Sequence, residues 1–330
     1  IKYFCFGLMM VVLCFPWLQS NYKVYKEVML YGSVLPTELV MFNWENWSSG
    51  DYQKNYEKNN EEVFGCRTDL IRLINQIDYN FFKRSNSNDV VVGKNDYLFQ
   101  QSYIDAYYGT NYAGDSVVIK NLKVVSELQE ILRNKNQLFI SVLEPSKVSY
   151  FPEFVSHIPI GKTKKSYKAV LEFNKQYKVN LFDFNKWFVE LKNTTPYPLY
   201  PKQGIHWTDY GASIAMDSII KIIEEQAKID LPDYKTSYQL TDNLGKADND
   251  LGDLLNIGYK LPHFNVATPS ITFSENLNGK TKPKVLIIGD SYFWNIQNIS
   301  ILDNIFSKYN FWYYNNTIYP KKDSEDSSLV

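Results

Sequence analysis

The sequence predicts an α/β protein with a mostly parallel central sheet and helices on both of its faces. Three observations carry this expectation. Between 116 and 183, helix-periodic stretches alternate with short apolar runs, and strand–helix alternation of that kind builds parallel sheets. A further apolar run, "KVLIIGDS" (284–291), stops abruptly on Gly289, Asp290 and Ser291, at the carboxyl end of a strand where open α/β sheets place their ligands. The composition is globular, with 45% hydrophobic and 22% charged residues, and 330 residues suffice for one large domain or two small ones.

The elements follow in order. Lys2 precedes an uncharged apolar run from Tyr3 to Leu18, in a chain that begins at Ile1 rather than Met. A lysine followed by such a core reads as a secretory signal or signal-anchor, although the run is a little short of the ~20 residues that span a bilayer. The expected organisation is a signal-anchor or transmembrane segment over 1–20, an aromatic and polar juxtamembrane segment over 21–64, and the main domain over 65–330, held outside the cytoplasm. Leu70, Ile71, Ile74, Ile77 and Phe81 are spaced for an amphipathic helix. "VVVGKNDYLFQ" (90–100) reads as two short strands about a turn. "VVIKNLKVVSELQEILRNKN" and "KKSYKAVLEFNKQYK" predict helices, each followed by a strand, "QLFISVLEP" and "VNLFDFN". "GIHWTDYGASIAMDSIIKIIEEQ" opens a long helix, with Thr208 or Asp209 as N-cap. The polar stretch from about 241 to 258 reads as a surface loop, and "NISILDNIFSKYNFWYY" as a helix and a last strand.

Composition also excludes functions. A net charge of −1 offers no basic field for nucleic acid. Cys5 and Cys14 lie in the apolar segment and leave Cys66 alone, so neither a disulfide framework nor a Cys/His metal spacing exists in the remainder. The cluster "DNDLGD" (248–253) suggests a calcium loop but misses the alternate-position spacing of an EF-hand, and no metal or cofactor is expected. The 26 tyrosines suit strands and core, and with Trp44 and Trp47 they also suit a sugar-stacking surface.

A serine is a weak nucleophile until a base takes its proton. Of the three histidines, His206 stands where a small-residue turn meets a helix start, whereas His157 and His263 sit in ordinary loop contexts. Ser291 and His206 are therefore the candidate nucleophile and general base. Asp290, beside the nucleophile, is the third catalytic candidate and also suits a role in fixing the turn. Lys147, Trp207 and Tyr292 are the candidate substrate contacts.

The motifs in order resemble the SGNH-hydrolase-like proteins of the AlgX and AlgJ family. "WSSGDYQKNYEKNNEEVFGCRTDLIRL" is similar to the family's opening, and "VVVGKNDYLF" to its strand pair. "LFISVLEPSKVSYFPEFV" resembles its Pro-x-Lys turn, "GIHWTDYGA" its His-Trp-Thr block, and "VLIIGDS" its nucleophile strand. The resemblance implies a flavodoxin-like three-layer fold and a Ser-His-Asp site that moves acetyl groups onto an exported or cell-surface polysaccharide. It also implies a multi-spanning membrane acyltransferase as partner, an acetyl donor in place of any cofactor, and backbone N–H groups at the Ser291 turn as oxyanion donors. Family members supply the acid two residues before the histidine, where this chain has Gly204. Asp209, Asp290, Asp183 and Asp253 are the carboxylates weighed against that gap. Two rival activities stay open: an acetyl esterase, and a polysaccharide-binding subunit with a weakened site.

Overall fold

The computed structural model describes residues 1–32, 37–157, 164–314 and 316–320. The chain forms two compact units, Ile1–Val90 with Gly252–Lys260, and Val91–Leu251 with Leu261–Val330. In the first unit, α1 (Lys2–Tyr22) is long and apolar enough to cross a membrane, the one such helix among the described residues. The stretch that composition marks only as aromatic and polar folds as α2 (Trp44–Ser49) and α3 (Asp51–Val63). The amphipathic helix forms as α4 (Arg67–Phe82), and it belongs to this unit. Glu27 ties the corner before α4, its carboxylate accepting from Cys66 N at 3.0 Å and Thr68 Oγ1 at 2.9 Å.

The second unit begins within β1 (Val90–Val92), which pairs with β2 (Leu98–Gln100). α5 (Gln101–Tyr108) and α6 (Asp115–Arg133) lead into β3 (Ser141–Leu143). The chain returns through α7 (Lys147–Tyr150) and α8 (Ser166–Tyr177) to β4 (Leu181–Asp183), and α9 (Phe184–Glu190) follows directly. β3 and β4 are parallel, with Ser141 opposite Leu181. Val118 and Leu122 of α6 pack with Ala169 of α8 and Val179 into one small core.

α10 (Asp209–Ala227) starts on Thr208, whose Oγ1 accepts from Gly211 N at 3.1 Å. β5 (Tyr234–Thr241) and β6 (Val266–Phe273) are antiparallel, with Thr241 opposite Val266. Residues 242–265 therefore leave and rejoin that ladder at the same level. They are not a plain surface loop: a 3₁₀ turn (Lys246–Asp248) and α11 (Asp250–Leu254) form there, and Asp248 and Leu251 are buried. β7 (Lys284–Gly289) runs parallel to β8 (Lys308–Tyr313), which pairs antiparallel with β9 (Thr317–Tyr319). Between β7 and β8 lie α12 (Phe293–Asn298) and α13 (Leu302–Ile305).

Parallel pairing is thus present, but among the described residues it is split between β3–β4 and β7–β8 rather than gathered in one sheet. β3 and β4 are only three residues long, and strands that short form a ladder of few hydrogen bonds. The largest core lies beside β7 and β8, where Trp207, Met216, Ile220, Tyr292, Ile296 and Phe311 pack together. Burying each such side chain contributes about 1.5–3 kcal/mol. β7 is half-buried rather than buried on both faces: Val285 and Ile287 pack inward, while Leu286 and Ile288 are 53% and 57% exposed. That alternation follows the two-residue period of a strand with one packed face.

Candidate functional site

The site is built from two turns. The first ends β7. Asp290 Oδ1 accepts from Tyr292 N at 2.9 Å, Asp290 O from Phe293 N at 3.4 Å, and Ser291 O from Trp294 N at 3.2 Å. These bonds close the chain into α12 and set Ser291 at the strand end. They also engage the N–H groups of Tyr292, Phe293 and Trp294 within the turn.

The second turn, 203–208, enters α10. Thr208 N donates to Leu199 O at 3.0 Å, and Thr208 caps the helix, which sets the direction in which His206 leaves the backbone. The two turns are stitched directly. Trp207 Nε1 donates to Tyr292 O at 3.1 Å, and Tyr292 OH donates to Ile205 O at 3.1 Å. The rings of His206 and Tyr292 meet edge-on at 4.9 Å. Between these contacts His206 Nε2 lies 2.8 Å from Ser291 Oγ, within hydrogen-bond range.

A third group closes the row. Asp250 Oδ2 lies 3.2 Å from His206 Nδ1, and Asp250 Oδ1 accepts from Ile205 N at 3.0 Å and Leu251 N at 2.7 Å. With a carboxylate behind Nδ1, the ring holds its proton there and turns the Nε2 lone pair to the serine hydroxyl. Proton transfer from Ser291 Oγ to His206 is what this arrangement can do. Sequence reasoning passed over Asp250 and weighed its neighbour Asp253. The one signal was the gap at Gly204, which left the orienting of His206 to a backbone carbonyl or to another carboxylate.

The other acidic candidates face other partners. Asp290 turns its carboxylate to Tyr292 N and to Glu144, which fits the turn-fixing role it suits, and among the described residues no hydrogen bond joins it to His206. Asp209 faces Asn295 Nδ2 at 3.4 Å. Asp183 caps α9, accepting from Lys186 N at 2.9 Å, and takes the Tyr167 hydroxyl at 2.7 Å. Burial, then the charge of Asp290 and a hydrogen bond to it, pushes Glu144 well above the usual carboxylate range. Two carboxyl groups that share a site cannot both ionise cheaply.

The three expected substrate contacts need correction. Lys147, read as an exposed lysine after a turn, is 2% exposed. Its Nζ donates to Lys202 O and Gly204 O, each at 2.7 Å, over the rings of Tyr97 and Phe99. Burial holds its pKa well below the ordinary value, with the Asp250 charge working the other way. Trp207 and Tyr292 are 1% and 2% exposed, and their polar atoms are engaged with backbone carbonyls. As buried groups bonded to backbone, these three side chains support the two turns rather than present themselves at the surface. Among the described residues, no group of three or more His, Cys, Asp or Glu side chains stands where it could hold a metal ion.

A family model described as "SGNH hydrolase-like domain, acetyltransferase AlgX" matches residues 90–298, and the chain belongs to that family. The match spans both turns and Asp250. Among solved structures, the chain is similar to the O-acetyltransferase domain of Pseudomonas putida AlgJ, at 16% identity and a TM-score of 0.47, over 68% of this chain and 78% of that one. It is similar to Pseudomonas aeruginosa AlgX at 16% identity and a TM-score of 0.48, over 71% of this chain and 59% of that one. For Bacillus cereus PatB1 the values are 16% and 0.38, over 57% and 78%. No curated protein matches by sequence.

Proposed function

We propose that the chain is an O-acetyltransferase that moves acetyl groups onto hydroxyls of an exported or cell-surface polysaccharide. Family membership supports acyl transfer as the reaction class. The observation that carries the mechanism is the 2.8 Å contact between His206 Nε2 and Ser291 Oγ. Ser291 Oγ attacks the carbonyl carbon of an acetyl ester while His206 takes the hydroxyl proton. The bond from carbonyl carbon to leaving-group oxygen breaks, His206 returns the proton to that oxygen, and acetyl-Ser291 remains. A sugar hydroxyl then gives its proton to His206 and attacks the acetyl carbon. The Ser291 ester breaks, and the proton returns to Ser291.

In this reading residues 1–20, most of α1, anchor the chain and hold the catalytic domain outside the cytoplasmic membrane, with 21–64 as the juxtamembrane segment. A multi-spanning membrane acyltransferase supplies the acetyl group. The test uses the full chain in detergent with a chromogenic acetyl ester, with and without an acetyl-accepting oligosaccharide. The expected result is release of the chromophore with acetyl on the sugar, both lost in Ser291→Ala. Release with acetyl appearing only as acetate would make the chain an esterase. A folded protein with no release and no acetyl-Ser291 would contradict catalysis and favour a polysaccharide-binding subunit.

A further inference from the structure

Gly204 and Asp250 are linked by packing: the turn that carries Asp250 lies against Gly204. The resemblance puts the orienting acid at position 204. Here that position is glycine, and its conformation does not require glycine, since its φ is not positive. What requires glycine is space. A Cβ on Gly204 would lie 2.1 Å from Ala247 O, 2.7 Å from Pro201 Cγ and 2.9 Å from Asp248 C. No side chain fits there while the 245–250 turn is in place. That turn docks by backbone as well, with Leu251 N donating to Gln203 O at 3.0 Å. Lys147 Nζ also donates to this strip, at Lys202 O and Gly204 O.

We infer that Asp250 is the positioning residue for His206, supplied from the β5–β6 connection, and that Gly204 is the residue that admits it. Because no side chain fits at 204 beside the 245–250 turn, returning an aspartate to that position does not restore the site. This rests on the acyl-enzyme reading above. Asp250 acts through His206: it holds the tautomer and balances the imidazolium that forms when Ser291 loses its proton. Asn at 250 keeps Oδ1 for Ile205 N and Leu251 N but can set an amide donor against Nδ1. It therefore spares the turn and favours the wrong tautomer.

The test follows acetylation of Ser291 by an acetyl ester, with its sulfonylation by phenylmethylsulfonyl fluoride as a second probe of the nucleophile, both read by mass spectrometry on the full chain. Wild type, Asp250→Asn, Asp250→Glu and Gly204→Asp/Asp250→Asn are compared, with circular dichroism as the check of fold. Asp250→Asn should slow acylation at saturation by roughly 10³–10⁴-fold with little change in half-saturating concentration. Asp250→Glu should recover at least tenfold of that loss, which a merely structural contact would not do. The double variant should stay as slow as Asp250→Asn or lose its fold. Acylation of Asp250→Asn within about threefold of wild type would overturn the inference, and so would recovery in the double variant. A wild type that is never labelled at Ser291 would overturn the reading beneath it as well.

Discussion

The turn that carries Ser291 and the turn that carries His206 are held in different ways. The serine turn is closed by its own neighbours: Asp290 and Ser291 bond to Tyr292, Phe293 and Trp294, within a few residues of each other. The histidine turn is held by residues far along the chain, namely Lys147, Asp250 and Tyr292. Glycine marks the difference. A Cβ on Gly289 would meet only Phe311 Cε2 at an ordinary 3.7 Å, whereas one on Gly204 would drive into Ala247 O at 2.1 Å. The serine turn has room for an added methyl group at its glycine, and the histidine turn has none.

Four substitutions test that contrast, beginning with the largest effect. Gly204→Ala should cost about 3 kcal/mol, because the Ala247–Asp248 backbone and the Pro201 ring must move to admit one methyl group. Urea denaturation measures it, and a loss below about 1 kcal/mol would remove the close approach from the account. Next is the turn that delivers Asp250. Burial, opposed by the Gly245 N–H and reinforced by Asp209 and Asp250, pushes Asp248 up to about 6 from an ordinary 3.8. The folded state then holds this proton more tightly than the unfolded chain does. The favourable contribution is present at low pH and is lost as pH rises through about 4 to 6. Between pH 4 and 7 wild type should lose on the order of 2–3 kcal/mol more stability than Asp248→Asn, and parallel pH profiles would contradict the burial argument.

Lys147→Met should destabilise by about 1–3 kcal/mol, since Gly204 O loses its buried donor. Lys202 O suffers less, because Leu98 N also donates to it, at 2.9 Å. The variant should slow Ser291 acylation as well, and normal acylation in a destabilised protein would separate the clamp from the site. Gly289→Ala should have the smallest effect, below about 1 kcal/mol. A larger loss would mean that the serine turn is as constrained as the histidine turn.

The same division explains what could be read from the sequence. β7, the Gly-Asp-Ser turn, the Thr208 cap and the helices after them follow from local patterns, and so does the choice of His206. Asp250 does not. It lies 44 residues from His206, in a polar run that reads as loop or ion site, and only the ladder of β5 and β6 returns that run to the histidine. Lys147 was unreadable for a related reason: a lysine after a turn is ordinarily solvated, and this one is buried by two carbonyls and two rings from other elements. Trp207 and Tyr292 were candidates for contact with substrate, and their burial in the core could not be read from their neighbours in sequence. The resemblance gave warning that no acid stands at 204, and no local pattern pointed to Asp250 beside His206.

The central claim is that the two turns carry one catalytic unit. The most direct measurement is kcat/KM on an acetyl ester for Ser291→Ala, His206→Ala and the double variant, each shown to be folded. The account predicts that each single substitution costs about 10³-fold or more and that the double costs no more than either alone, because removal of one partner already disables the other. Multiplying effects, or a His206→Ala enzyme within about tenfold of wild type, would contradict it.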